Sequence, residues 1–316
     1  MNLESSRRSA PIYRLGTRGS DLALWQARTI AGMLDDLGIT TEITVIKTTG
    51  DRIDDVPFSK LEGKGFFTKE LEEAQLSGRV DFAVHSLKDL STSMPPGLVL
   101  CAMVGREDPR EMLLARPEAV DEARRDAGEP LPLREGVVIG TSAARRQAQI
   151  RRLRPDLQIA DLRGNVPTRV NRLREGRYDA IMLARAGLVR LGIELDDLYA
   201  SPLDVADFVP AAAQGMLGIQ CRDEDPYRGG LARLHSAEAA RAVAVERELL
   251  LRLEGGCQIP FGAHVAAADG VWRLEAFLAA DVDDPDPLRL TLTAEEPEIL
   301  LEQGWQAIEA HREKGR

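Results

Sequence analysis

The chain has 316 residues, of which 44% are hydrophobic and 29% charged, and its formal net charge is -10. This composition is typical of a soluble globular protein with enough chain for two or three domains. No apolar run is long enough to span a membrane, and residues 1–11 lack the apolar stretch of a secretory signal. Three cysteines without metal-ligand spacing favour a reducing compartment. We therefore expect a cytoplasmic protein, and the acidic balance argues against general nucleic-acid binding.

The first part of the chain alternates strand and helix patterns. Residues 13–17 and 42–48 are predicted strands, and Ser20 can cap the helix between them. A helix over residues 67–76 and a strand over 80–86 follow. Strands separated by helices of this length predict a parallel or mixed α/β sheet.

The same pattern then recurs further along the chain. The motif GTRGS at 16–20 has a counterpart in GTSAA at 140–144, and GRVDFA at 78–83 has one in GRYDAI at 176–181. Two similar α/β units predict a ligand cleft between strand ends and helix N-termini. The stretch 116–136, rich in Gly, Pro and acids, is predicted to be a flexible insertion.

The last part of the chain changes pattern. An apolar run over residues 211–221 is expected to return to the first unit. A helix over 238–253, strands over 271–279 and 288–294, and a final helix from Pro297 then predict a small α+β domain.

Arginine is concentrated in one segment. Residues 137–180 contain ten arginines, no lysine and four acids, which gives +6 in a protein of net charge -10. A guanidinium binds a carboxylate or phosphate bidentately. Arg145, Arg146 and Arg169 fall in the first turns of predicted helices, where free N–H groups already favour anions. A solvated basic face is the alternative, but this placement favours a cleft that binds a polyanion.

A second candidate site follows the strand that ends at residue 86. Lys88 and Asp89 offer a cation for a substrate carboxylate and a carboxylate for proton transfer or cation stabilisation. A pair of loop charges without a role is the alternative. His85 is expected to be packed or hydrogen-bonded, because no second metal ligand stands at suitable spacing.

The three cysteines differ in their surroundings. Cys101 and Cys221 lie in apolar strands and are predicted to be structural. Cys257 lies in the loop EGGCQIP, where a thiol can serve as a covalent attachment point. A free loop cysteine is the alternative.

Together these motifs resemble the porphobilinogen deaminase (hydroxymethylbilane synthase) family. The resemblance covers about residues 14–265, and its motifs come in the family's order. They are TRGSDLALWQ (17–26), GKGFF (63–67), HSLKD (85–89), REDPR (106–110), GTS (140–142), RRQ (145–147), LRGNV (162–166), QG (214–215) and LEGGCQ (253–258).

The resemblance implies an α/β fold with two domains like those of type II periplasmic binding proteins and a small α+β third domain. The domains would comprise residues 12–108 with 211–233, residues 109–210, and residues 237–316. The implied activity, that of hydroxymethylbilane synthase, joins four porphobilinogen molecules head to tail with loss of ammonia and releases linear hydroxymethylbilane by hydrolysis. The family primes this reaction with a dipyrromethane cofactor. The protein would act as a monomer on a small-molecule substrate and would bind neither nucleic acid nor a membrane.

The resemblance also implies roles for individual residues. Cys257 would hold the dipyrromethane by a thioether, and Asp89, as a buried carboxylate, would stabilise the cation left by ammonia, with Lys88 beside it. Further contacts to cofactor or substrate would come from Arg18, Ser20, Ser86, Thr141, Ser142, Arg145, Arg146, Arg163, Gly164, Arg169, Arg190 and Gln214. One position departs from the family's pattern, since Ala143 stands where a second serine is common.

Two other functions would use the same arginines. A cytoplasmic two-lobed binding protein for a polycarboxylate metabolite needs them but has no use for Cys257 or Asp89. An RNA-binding protein should expose aromatic side chains for stacking. Aromatic residues make up only 4% of the chain, and Tyr178 is the only one in the arginine segment.

Overall fold

The computed structural model describes residues 11–48, 68–253 and 259–314. Within these ranges the strands are β1 (Tyr13–Thr17), β2 (Thr41–Val45), β3 (Phe82–Ser86), β4 (Leu98–Arg106), β5 (Glu111–Ala115), β6 (Val138–Gly140), β7 (Gln158–Ala160), β8 (Ala180–Ala184), β9 (Tyr199–Pro202), β10 (Met216–Arg222), β11 (Phe261–Ala268), β12 (Val271–Leu278) and β13 (Leu288–Ala294). The α-helices there are α1 (Asp21–Asp35), α2 (Lys69–Leu76), α3 (Glu122–Asp126), α4 (Ala144–Leu153), α5 (Val166–Arg174), α6 (Arg185–Leu191), α7 (Arg228–Ala232), α8 (Ala237–Arg252) and α9 (Pro297–Lys314). None of these helices is both long and apolar enough to cross a bilayer.

The first sheet has the strand order β2-β1-β3-β10-β4. β1 is parallel to β2 and β3, whereas β10 runs antiparallel to β3 and β4. Its core includes Phe82 and Ile219, which pack with Ile30 and Leu34 from the apolar face of α1. The predicted cap is confirmed, because the Ser20 hydroxyl accepts a hydrogen bond of 3.3 Å from the Ala23 N–H.

The second sheet repeats this arrangement with the order β7-β6-β8-β5-β9. Here β6 is parallel to both of its neighbours, and the strand fourth in the order, β5, is antiparallel to β8 and β9. In the first sheet the antiparallel strand β10 comes last in the chain, after the whole second sheet, whereas in the second sheet the antiparallel strand β5 comes first. The two units therefore share one topology, as the sequence repeat predicted.

The expected flexible insertion at residues 116–136 is wrong. A 3₁₀ turn at Pro117–Ala119, helix α3 and a bridge between Val120 and Leu133 give it regular structure. Leu131 and Leu133 are buried in the core of the second sheet. Burial of each leucine is worth about 1.5–3 kcal/mol and helps to fix the segment.

The third sheet is antiparallel, β11-β12-β13, and is covered by α8 and α9. Leu249, Leu274, Leu300 and Ile308 form the centre of its core. The predicted α+β pattern is confirmed, and the predicted strand at residues 288–294 coincides with β13.

The chain crosses between the two larger sheets twice, after β4 and before β10. The Glu107 N–H donates to the Gly215 carbonyl at 3.1 Å and joins the two crossing segments. Gly215 has φ +88°, and a Cβ there would lie 2.1 Å from the Glu107 carbonyl oxygen, so only glycine allows this approach. Buried Glu246 of α8 accepts hydrogen bonds from Arg106 and from the Ala213 N–H. The crossing is thereby tied to the third sheet.

Candidate active site

The Lys88–Asp89 turn lies where the first sheet faces the second. It forms a 3₁₀ turn over Leu87–Asp89 directly after β3. Lys88 Nζ donates to Gln214 Oε1 at 3.1 Å. Burial lowers the pKa of the Lys88 ammonium, Asp89 and Glu111 oppose that shift, and Arg146 adds to it. Charges from both sheets thus act on Lys88.

Asp89 is exposed, which corrects the expectation of a buried carboxylate. Its charge nevertheless acts on a group of the second sheet, since it partly offsets the lowering of the pKa of Arg169 in α5. The carboxylate is therefore exposed and close enough to Arg169 for the two charges to interact. An exposed carboxylate in that position is accessible to a ligand.

Arg145 and Arg146 converge on one carboxylate, that of Glu111 in β5. Arg145 Nη2 lies 2.5 Å from Glu111 Oε1, and Arg146 Nη2 lies 2.7 Å from Oε2. Glu111 is completely buried and each arginine is 6% exposed. A solvated basic face is therefore wrong for these two side chains. The pKa of Glu111 falls to about 2, because the attraction of Arg146 and Arg145 outweighs the cost of burial.

Sequence reasoning missed Glu111. The signal was a glutamate at the start of the apolar strand Glu111–Ala115, since a carboxylate in a buried strand needs a cationic partner. Each arginine also binds a main-chain oxygen: Arg145 Nη1 donates to Val209 at 2.6 Å and Arg146 Nη1 to Met182 at 2.9 Å. The guanidinium groups are therefore held in fixed orientations.

Arg169 lies in the first turn of α5, as predicted. The Asn165 side chain caps this helix by accepting from the Thr168 N–H at 2.9 Å. Arg169 Nε donates to the Gly164 carbonyl at 2.7 Å, and Gly164 adopts φ +96°. The pKa of Arg169 falls to about 10, mainly through burial and then through the nearby charge of Arg146.

Arg163 is half-buried and precedes the same turn. Its charge also contributes to the lowered pKa of Arg169, and its carbonyl accepts from Arg172 Nη1 at 2.8 Å. Arg146, Arg163 and Arg169 thus form a cationic cluster beside Asp89.

The predicted hydroxyl groups have structural partners. Ser142 Oγ donates to the Leu162 carbonyl and accepts from the Leu162 N–H, both at 3.0 Å. Buried Thr141 accepts from the Ala143 N–H at 3.4 Å. Ala143 itself is the N-cap of α4, without a side-chain cap bond. These contacts fix the loops that present the arginines of α4 and α5.

Ser86 lies at the end of β3 and accepts a hydrogen bond of 2.6 Å from Gln26 of α1. Gln214, the partner of Lys88, also donates to the Pro109 carbonyl at 2.8 Å. Both polar side chains therefore hold the Lys88–Asp89 turn against neighbouring segments.

Arg190 is placed elsewhere in the interface between the sheets. Its Nη2 donates to the Gly215 carbonyl at 2.5 Å, and its guanidinium lies 5.7 Å from the centre of the Trp25 ring. The structure thus joins Arg190 to α1 and the crossing, and its contact to a ligand carboxylate remains a prediction.

His85 is hydrogen-bonded, as expected, with its Nε2 3.1 Å from Gln220 Oε1. Burial lowers the pKa of His85 to about 4, and the nearby charge of Arg18 adds to the shift. His85 is therefore neutral near pH 7. Arg18 itself is half-buried and follows β1 directly.

Cys257 and the GKGFF motif lie outside the described residues, as do residues 1–10. Cys257 follows the last residue of α8, Arg252, by five positions. Of the other cysteines, Cys221 is buried in β10, which confirms a structural role, and Cys101 is half-buried in β4.

Comparison with known proteins identifies the family. A family model for the dipyrromethane cofactor-binding domain of porphobilinogen deaminase matches residues 13–228, and a model for its C-terminal domain matches residues 240–294. The porphobilinogen deaminase of Syntrophobacter fumaroxidans is 46% identical over 272 residues, covering 85% of this chain and 84% of that protein. That of Geobacter sulfurreducens is 41% identical over 311 residues and covers 93% of each chain.

Among solved structures, a periplasmic substrate-binding protein of an ABC transporter from Coxiella burnetii is 14% identical, with a TM-score of 0.42. The match covers 70% of this chain and 91% of that one. The family assignment rests on the two domain models and the sequence relatives. Together they show that the chain belongs to the porphobilinogen deaminase family.

Proposed function

We propose that the Lys88–Asp89 turn and the arginines of α4 and α5 form the active site in which this chain carries out the porphobilinogen deaminase reaction. That reaction joins four porphobilinogen molecules head to tail, releases ammonia at each addition, and ends when hydrolysis frees linear hydroxymethylbilane from the primer. One observation carries the proposal. An exposed carboxylate, Asp89, lies close enough to Arg169 of the opposite sheet for the two charges to interact.

The site suits a dipyrromethane and its growing chain because each pyrrole ring carries two carboxylates. Burial lowers the pKa values of Lys88 and Arg169, and the nearby charge of Arg146 repels both cations and lowers these pKa values further. A bound polycarboxylate would relieve that repulsion through charge-assisted hydrogen bonds. When bound, the dipyrromethane supplies the pyrrole carbon to which the first substrate unit is added, and Cys257 is its proposed anchor.

In this proposal Asp89 stabilises the positive charge that forms during the reaction. Loss of ammonia leaves a cation on the substrate pyrrole, and a fixed carboxylate beside it stabilises the transition state that leads there. The same carboxylate can accept the proton lost when two rings are joined. Lys88, held by Gln214, binds a substrate carboxylate and keeps the ring in place.

The domain boundaries follow the sheets in this proposal: residues 12–108 with 211–233, residues 109–210, and residues 237–316. The strand memberships support them, because β10 joins the first sheet although it follows the second in the chain. We infer a cytoplasmic monomer that acts on a small molecule, without nucleic acid or membrane. A polycarboxylate-binding protein is not favoured, since the chain belongs to an enzyme family.

The test is turnover of porphobilinogen by Asp89→Asn and Asp89→Glu. Asp89→Asn keeps the shape and removes the charge, so turnover should fall roughly 100-fold or more while the protein stays folded. Asp89→Glu keeps the charge on a longer arm and should retain partial activity. Asp196→Asn, an exposed aspartate outside the cleft residues, is the matched control. Wild-type turnover by Asp89→Asn would remove Asp89 from the mechanism.

A further inference from the structure

Arg247 of helix α8 binds the turn that carries Lys88 and Asp89. Its Nη1 donates to the carbonyl oxygens of Leu87 and Leu90, both at 3.1 Å, and its Nη2 donates to the Ser91 carbonyl at 2.9 Å. These three acceptors lie immediately before and after Lys88 and Asp89 in the chain. One side chain of the third domain therefore holds both ends of the proposed catalytic turn.

The apolar packing beside Arg247 has the same partners. Leu87 and Leu90 are buried, with exposures of 0% and 3%, in a cluster that includes Ala240 and Val243 of α8. The two residues between these leucines, Lys88 and Asp89, are half-buried and exposed, respectively. The turn is thus held against α8 by apolar side chains and by hydrogen bonds together.

The environment of Arg247 differs from that of the other arginines on its helix. Arg241 and Arg252 bind glutamates on α9 or in the segment before it. For Arg247 the hydrogen-bond acceptors in the described part of the chain are the three main-chain carbonyls. Burial alone lowers the pKa of Arg247, to about 10. Such a buried guanidinium is costly unless its donors are satisfied, so its position depends on the turn.

We propose that Arg247 is a positioning residue of the reaction: its guanidinium fixes the Lys88–Asp89 turn to α8 and so sets the position of the Asp89 carboxylate. The same helix ends at Arg252, five residues before the proposed cofactor anchor Cys257 in the sequence. This inference rests on the proposed role of Asp89. It assigns to the third domain a part in the chemistry as well as in holding the cofactor.

The variants are Arg247→Met, which keeps the apolar stem, and Arg247→Lys, which keeps the charge but lacks the planar fork. A carboxylate misplaced by about 1 Å can cost roughly 100-fold in rate. We expect kcat of Arg247→Met to fall roughly 10- to 100-fold with KM changed less than about threefold. Arg247→Lys should lie between it and wild type, because one ammonium can still reach a carbonyl. Arg241→Gln, at an exposed position of the same helix, should keep wild-type kcat.

Two further measurements distinguish a positioning role of Arg247 from a purely structural one. Intact mass should show full cofactor loading in the Arg247 variants, together with partly extended chains that accumulate on the enzyme. In an Asp89→Asn protein, adding Arg247→Met should lower kcat by less than about twofold. A residue that acts through Asp89 loses its effect when that carboxylate is gone.

Two results overturn the inference and leave the proposed site intact. The first is a wild-type kcat in a folded, cofactor-loaded Arg247→Met or Arg247→Lys enzyme. The second is a double variant whose loss of kcat equals the product of the losses in Arg247→Met and Asp89→Asn. Wild-type turnover by Asp89→Asn alone would overturn both the proposed site and this inference.

Discussion

Replacing Glu111 by glutamine removes the only negative charge that contacts both Arg145 and Arg146 among the described residues. The amide keeps the size of the side chain and one acceptor oxygen. The two guanidinium groups stay buried, with main-chain carbonyls as their other acceptors. The substitution therefore isolates the charge of Glu111 from its packing.

The magnitude follows from the pKa of Glu111, which falls from 4.5 to about 2. Since each pKa unit is worth about 1.4 kcal/mol, the folded protein prefers the ionised carboxylate by about 3 kcal/mol. Removing one partner of a buried ion pair costs about 3–5 kcal/mol in general. We expect Glu111→Gln to lose about 3–5 kcal/mol in the free energy of unfolding at pH 7.

The assay is denaturant unfolding of the cofactor-loaded protein, followed by circular dichroism. The control is Glu118→Gln, which removes an exposed carboxylate paired with Arg116 and should cost less than about 1 kcal/mol. A Glu111→Gln protein within 1 kcal/mol of wild type, or a control that loses as much, would refute the reasoning about the buried pair.

The pH dependence of stability depends in part on His85. Its pKa is about 4 in the folded protein and 6.5 ordinarily, so the unfolded chain takes up the proton first as pH falls. Between pH 7.5 and pH 5 this protonation lowers the free energy of unfolding of the wild type by about 2 kcal/mol. In His85→Gln the loss of unfolding free energy over the same pH range should be smaller by that amount. Equal losses in the two proteins would contradict the lowered pKa of His85. At the N-cap of α4, Ala143→Ser should add about 1 kcal/mol by supplying the missing cap, and unchanged or lower thermal stability would show that the hydroxyl makes no cap bond.

Local patterns predicted the elements well, because they depend on residues close in sequence. The alternation at residues 288–294 coincides with β13, and Ser20 caps α1 as expected. The repeat between residues 16–20 and 140–144 predicted the shared topology of the two sheets. The placement of arginines in first turns followed from the same local signals, since each helix begins beside a glycine-containing loop.

Partners distant in sequence were not predictable in the same way. Glu111 meets Arg145 and Arg146 only because β5 is inserted next to β8, which depends on the strand order of the whole sheet. Arg247 likewise reaches the Lys88–Asp89 turn across about 160 residues of chain. The order in residues 116–136 depended on Leu131 and Leu133 finding a core that composition does not reveal.

The assembly of the tetrapyrrole on Cys257 within this cleft is tested most directly by intact mass after incubation with porphobilinogen. Wild-type protein should be heavier than its sequence by two linked pyrrole units, and brief incubation should add further units of the same kind. Cys257→Ser should lose the added mass and the ladder, whereas Cys101→Ser and Cys221→Ser should keep both. A Cys257→Ser protein that still carried the two pyrrole units, or a wild-type protein at its bare sequence mass that gained none, would contradict the account.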